Sequence, residues 1–427
     1  MNFLSRLLQI FRLADLRNKI LFVLGIFVLF RLMANIPIPG LDASRLQEFF
    51  EGNQLFGLLN IFTGGALDNL SIAMLGLGPY ITAVIVMQLL TMIFPALERM
   101  YKEEGEEGRK KFNQYGRILT IPFALVQGYG FLTLLVRQGV IPPLAPVDYA
   151  TALITVIAGT VFLMWLGELI TEKGIGNGVS LLIFAGIVAG FPASLRQLFV
   201  DWDPTRTLAI ATFFAMAVII IAAVTFVTEA RRNIPVSYAK RVRGNKMYGG
   251  SSTYLPLNIN PAGVIPIIFA LSLLTFPAMI ANFFVGTEGF MGTVARWFQA
   301  YFNETSWIFV AAYFLLVALF TFFYTAVTFD PKAISSNLQK MGGFVPGVRP
   351  GPSTAGHITY ILNRVLLLGA MFLGTVAIMP FLVQRATGIV AFEFLLGGTA
   401  LLIMVTVALE TMRQIRAQLE MRDYETF

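Results

Sequence analysis

Ten long apolar segments, almost free of charge at their centres, fix what this chain can fold into. They run near 20–36, 74–93, 118–136, 150–170, 179–195, 207–228, 261–284, 306–328, 360–382 and 389–409. A helix needs about 20 mostly apolar residues to cross a bilayer. Backbone in lipid must satisfy its own hydrogen bonds, so continuous apolar runs fold as spanning helices. Continuity also argues against a β-barrel, whose strands alternate apolar and polar residues. Of the 427 residues 56% are hydrophobic and only 13% charged, whereas a soluble domain carries about 25% charge. The expected fold class is all-α: a polytopic membrane protein of ten transmembrane helices.

Pumps and ion-coupled carriers usually keep carboxylates or histidines at membrane depth. Here Arg31, Glu168 and Glu393 come nearest, and all lie toward span ends. The chain has no cysteine and one histidine, His357, which excludes disulfides and cysteine-held metals. The run Gly174-Ile-Gly-Asn-Gly178 resembles a dinucleotide loop by letters, but that motif follows a strand, and here an apolar helix precedes it. No GxxxxGK[ST] phosphate loop occurs either. No cofactor, metal site or catalytic residue is expected, and any ATP is hydrolysed by another protein. A secondary solute carrier is the main competing class. An intramembrane protease is a second, lacking an HExxH motif or a histidine–serine pairing.

Ten spans put both termini on one side. Of the 31 Lys and Arg, only seven fall in the loops of the opposite side. The positive-inside rule then makes both termini cytoplasmic. Residues 1–19 mix leucines with Arg6, Arg12 and Arg17; they form either an amphipathic helix on the membrane surface or a prop against other helices. The cytoplasmic stretch 231–246 carries six bases and no acid, and the stretch 330–360 sets Lys332, Lys340 and Arg349 among glycines and prolines. Long loops with defined turns are often functional. These two either dock an acidic or RNA-containing partner or serve orientation and lipid headgroups. The loop 98–111 mixes both signs and reads as a solvated hairpin.

The second span does not start cleanly. Residues 60–71 are short, glycine-bearing and half polar. Polar backbone at membrane depth is tolerated only inside protein or beside water. The segment is either a half-helix in a transport path or a re-entrant loop that only packs.

Taken together, several motifs carry a family resemblance. They are Gly64–Ile72 (GGALDNLSI) with Gly78–Ala83 (GPYITA), Ile170–Gly178 (ITEKGIGNG), Pro235–Arg241 (PVSYAKR), Leu255–Pro266 (LPLNINPAGVIP), Gly343–Gly351 (GFVPGVRPG) and Gly397–Ile403 (GGTALLI). In this order along ten spans, the chain resembles the bacterial branch of the SecY/Sec61α family, the pore subunits of protein-conducting channels. The resemblance implies two pseudo-symmetric inverted halves forming a clamshell. They would be 20–195 with spans 1–5 and a plug at about 60–71, and 196–412 with spans 6–10 and cytoplasmic loops at about 229–260 and 329–359. The amphipathic arm 1–19 and a cytoplasmic tail 413–427 flank them.

The resemblance also implies residue roles. A pore ring falls on Ile81, Ile85, Val179, Ile183, Ile268 and Ile403. The plug takes in Phe62, Gly64, Gly65, Leu67, Asp68 and Asn69. A lateral gate between spans 2 and 7 involves Gln88, Gln127, Ser272 and Phe276. Arg241, Arg243, Lys246 and Arg349 would meet a SecA motor or the ribosome with its RNA. Membrane subunits like SecE and SecG, signal sequences, nascent polypeptides and the lipid of a bacterial plasma membrane complete the implied partners. From the residues alone, Ile81 and Ile85 share one helix face by their i,i+4 spacing, as do Val179 and Ile183.

Overall fold

A computed structural model describes residues 13–39, 63–67, 69–200, 207–238, 241–243, 246–248, 252–284, 289–301, 306–387 and 398–425. The first half holds α1 (Ala14–Asn35), α2 (Gly78–Ile93), α3 (Pro95–Lys102), α4 (Gly105–Arg137), α5 (Pro146–Lys173) and α6 (Gly178–Val200). In the second half α7 (Thr207–Glu229) precedes four short strands: β1 (Arg231–Tyr238), β2 (Arg241–Arg243), β3 (Lys246–Tyr248) and β4 (Ser252–Asn258). Then come α8 (Ile265–Phe284), α9 (Phe290–Tyr301), α10 (Trp307–Thr328), α11 (Pro331–Lys340), β5 (Gly343–Phe344), α12 (Pro352–Thr387) and α13 (Gly398–Glu425).

Each of the ten apolar runs falls on a helix, the last of them partly outside the described residues. Many of the large side chains that these helices expose are apolar, including Leu315 and Leu319 on α10 and Leu367 and Leu368 on α12. In water that surface is unfavourable; in lipid it is the ordinary exterior of a span.

Helix boundaries differ from the apolar boundaries at both ends of the chain. α1 begins at Ala14 without a break, so residues 14–19 lie on the same helix as the first apolar run. Asp15 and Lys19 pair at 3.4 Å one turn apart, which supports helix there. At the other end α13 runs through to Glu425, because the stretch expected as a tail is rich in Arg, Gln and Glu, all good helix formers. The hairpin after span 2 is helical too: α2 and α3 meet at 111° across Phe94, where Pro95 can only begin a helix.

The reversal from α5 to α6 depends on glycine. A Cβ on Gly178 would run into the Gly167 carbonyl and the Ile170 side chain of α5. With hydrogen there, α6 starts flush against α5, and the Gly178 N–H donates to Thr171 Oγ1 at 2.9 Å.

The two basic loops, distant in sequence, form one unit. β1 pairs antiparallel with β4 along its length, Ile234 opposite Leu255 and Val236 opposite Thr253. β5 joins the other side of β1 at Ser237 and Tyr238, giving the order β4-β1-β5. Ile234, Leu257, Val345 and Ile358 bury a small core beneath the sheet. α11 is capped by Asp330, whose carboxylate accepts from the Lys332 and Ala333 N–H groups at 2.9 and 3.1 Å. Arg413 of α13 donates to the Thr228 carbonyl of α7 at 3.0 Å, fixing the last span against the helix that leads into the sheet.

Candidate functional site

The largest apolar cluster draws on both halves of the chain. Ile85 of α2, Ile183 of α6 and Ile403 of α13 are buried members, while Ile81, Val179 and Ile268 are half-buried and packed against it. All six residues of the expected ring thus fall in one cluster, supplied by α2, α6, α8 and α13. Every one carries an aliphatic side chain, so these six offer no charge or hydrogen bond for selecting a solute.

The segment before α2 reaches into this cluster. From Gly64 to Leu77 its described residues form a run of tight turns. Ala66 belongs to the central cluster, and Leu67 and Leu70 to a second one against α4 and α5. The run is latched to the end of α1. Ile38 N–H donates to the Leu70 carbonyl at 2.9 Å and Ile72 N–H to the Ile36 carbonyl at 3.0 Å. The Arg31 guanidinium donates to the Gly64 carbonyl, and Asn69 Nδ2 reaches the Ala34 carbonyl at 3.4 Å. Gly64 (φ +71°) and Gly65 (φ +79°) both adopt the left-handed conformation that glycine allows without steric cost. A Cβ on Gly64 would lie 3.0 Å from the Gly186 Cα and 3.3 Å from the Phe30 ring. Gly186 is about 12 Å along α6 from its start and three residues from Ile183. The turn run therefore meets α6 about one turn beyond Ile183. Phe62 and Asp68 lie outside the described residues.

The seam between halves is closed: α8 packs against both α2 and α4. Gln127 of α4 donates to Thr82 Oγ1 of α2 at 3.3 Å. Thr82 is the partner that a search for amides along the spans passes over. The buried Oε1 of Gln88 has no partner among the described residues. Ser272 is half-buried on α8 with a partner of its own, and Phe276 follows one turn later on that helix, before Pro277.

Of the basic residues, Arg241, Arg243 and Lys246 lie on the β2–β3 hairpin, where Arg243 is opposite Lys246. Arg349 is exposed beyond β5, its carbonyl accepting from Thr354 Oγ1 at 2.9 Å. The shared sheet puts both basic loops on one end of the molecule. The ionisable residues nearest the spans are tied up structurally: Glu168 pairs with Arg117 at 2.6 Å between α5 and α4, and Arg31 holds the turn run. Glu393 lies outside the described residues.

Comparison with known proteins agrees with this geometry. The family model described as SecY matches residues 71–412. The protein translocase subunit SecY of Streptomyces galbus is 43% identical, over 99% of this chain and 99% of that protein. A solved structure of a protein-conducting channel superposes with a TM-score of 0.65 at 19% identity, covering 93% of this chain and 91% of that one. Sec61 of the canine ribosome–channel complex superposes with a TM-score of 0.61 at 18% identity, over 93% and 91%. On the family match and the full-length identity, this membrane-spanning chain belongs to the SecY family.

Proposed function

We propose that the chain is the central pore-forming subunit of a protein-conducting channel, a conduit rather than an enzyme. It passes unfolded secretory polypeptides across the membrane and releases hydrophobic segments sideways into lipid. The observation that carries this reading is the convergence of six aliphatic residues from four helices in one cluster, with the turn run of Gly64 seated beside it. A ring of apolar side chains excludes water and ions by dewetting. Aliphatic side chains also part around a chain of any sequence, whereas a polar ring would select among its cargo.

In this reading Ile81, Ile85, Val179, Ile183, Ile268 and Ile403 form the gasket, and residues about 60–71 are the plug that closes it. The seam of α2 and α4 against α8 is the lateral gate. Hydrogen bonds between spans are worth about 0.6–2 kcal/mol each, so polar contacts across such a seam yield to an arriving apolar signal segment, while the Gln127–Thr82 bond ties α2 to α4 within one wall of it. Arg241, Arg243, Lys246 and Arg349 present one basic platform to a SecA motor or to ribosomal RNA, where binding weakens steeply with salt. Small membrane subunits like SecE and SecG brace the clamshell. The surplus of Lys and Arg in alternate loops supports cytoplasmic termini in a bacterial inner membrane.

The chain has no cysteine, so an introduced one is its only thiol. Ile403→Cys should form a disulfide with a single cysteine in a stalled precursor, and Leu315→Cys, on the lipid-facing side of α10, should not. The reverse pattern would move the path out of the central cluster.

A further inference from the structure

Helix α9 (Phe290–Tyr301) has its bulk on the wrong side for a soluble connector. At about 100° per residue, Phe290, Val294, Trp297 and Tyr301 fall within a sector of about 60°. Gly292 and Ala295, both buried, lie on the opposite side. The large ridge faces away from the protein: Phe290 is 81% exposed and Trp297 54%, while Ala295 is 3% exposed. A helix packed on a globular body in water does the opposite. The small residues let α9 sit close on α8, which it packs against, and leave the aromatic ridge uncovered.

Connectivity fixes the depth of the ridge. α8 leaves the sheet end at Ile265, and α10 returns to it before β5, so α9 lies at the opposite membrane face. It is tethered within six residues on either side, about 20 Å of extended chain, to Phe284 of α8 and Trp307 of α10. Both are exposed, and Trp307 carries the Arg385 guanidinium 4.8 Å above its ring. Tryptophan with a cation at a span end marks the headgroup level. The helix itself has one base, Arg296, and no acid, which suits phosphate headgroups.

We infer that α9 is an interfacial anchor: its Phe290–Val294–Trp297–Tyr301 ridge inserts into the lipid interface on the face opposite the sheet and holds the far end of α8 there. The occupant of the ridge is phospholipid, and the inference stands on membrane insertion alone, independent of what the channel conducts. Such helices bury their apolar side about 5–10 Å into the headgroup–acyl boundary. Because α8 also packs against α2 and α4, the anchor bears on one wall of the seam.

The test uses the full chain, with its membrane subunits, in vesicles of phosphatidylethanolamine and phosphatidylglycerol. Trp165→Phe, Trp202→Phe and Trp307→Tyr leave Trp297 as the sole indole of the four in this chain, in complexes whose small subunits carry none. Lipids brominated near the top of the acyl chain should quench most of its emission, and aqueous iodide should quench it several-fold less than in free indole. Moving the reporter to the polar edge, with Trp297→Phe and Ala300→Trp, should reverse that ranking. Iodide access at Trp297, shielding from both quenchers (a protein subunit on the ridge), or equal lipid quenching of both reporters would each overturn the assignment.

Discussion

Replacing Gly64 by alanine should unseat the turn run and open an ion leak. Two terms add. The backbone at Gly64 has φ +71°, where a Cβ costs about 1–2 kcal/mol. The new methyl would also lie 3.0 Å from the Gly186 Cα and 3.3 Å from two carbons of the Phe30 ring. The first is helix backbone and cannot swing away, so an overpacking cost of about 1–3 kcal/mol applies. Together they disfavour the seated segment by about 2–5 kcal/mol, roughly 30-fold to a few thousand-fold in its equilibrium. Gly65 separates the terms. It has φ +79°, but its Cβ would find only Arg31 Nη1, at 3.8 Å, leaving the backbone cost of about 1–2 kcal/mol. Gly139 carries the same strain, φ +70°, with no atom within 4 Å and far from the seat along the chain. Conductance in planar bilayers should rank Gly64→Ala above Gly65→Ala, with Gly139→Ala as tight as the unaltered protein. A tight Gly64→Ala channel, or a Gly139→Ala channel that leaks as much, would refute the reasoning.

Three further perturbations follow from the same geometry. Ile403→Asn puts an amide into a fully buried position of the ring; it should raise ion conductance and relax the demand for a strong signal sequence, and unchanged tightness in bilayers would count against the ring. Gln88→Leu removes a buried carbonyl oxygen without a partner among the described residues, a group costing about 1–3 kcal/mol; the closed seam gains stability and export should require a more hydrophobic signal, so an unchanged threshold would place Gln88 away from the gate. Arg349→Glu reverses an exposed charge beyond β5 and should abolish motor-driven transport at an unchanged unfolding temperature; surviving transport would remove Arg349 from the docking platform.

The spans are legible because apolar runs in lipid leave one backbone solution. What escapes the sequence is pairing at a distance and packing against small residues. Strand β1 does show a period of two, Ile234 and Val236 buried on either side of exposed Pro235. Its two arginines and Pro235 nevertheless make it read as a basic loop. Proline is tolerated because β5 reaches β1 only at Ser237 and Tyr238, so Pro235 has a strand on one side alone. β5 itself is two residues long and has no local signature. The aromatic spacing of α9 is visible in the letters, but the direction in which the ridge faces is not. Likewise the glycines at 64 and 65 announce a special backbone, whereas the neighbour that forbids a side chain, Gly186, lies more than a hundred residues away. The ring positions are aliphatics like dozens of others; without the family resemblance nothing in the sequence distinguishes Ile403 from Ile308.

The central claim is that an unfolded polypeptide passes through the cluster around Ile403. Reconstitution with SecE-like and SecG-like subunits, a SecA motor and ATP, followed by protease protection of a secretory precursor, tests it most directly. The account predicts protection that requires the motor and the signal sequence, with a reduced signal requirement in the Ile403→Asn channel. No protection by a folded complex with a matched motor, alongside saturable flux of a small solute through the same vesicles, would contradict it.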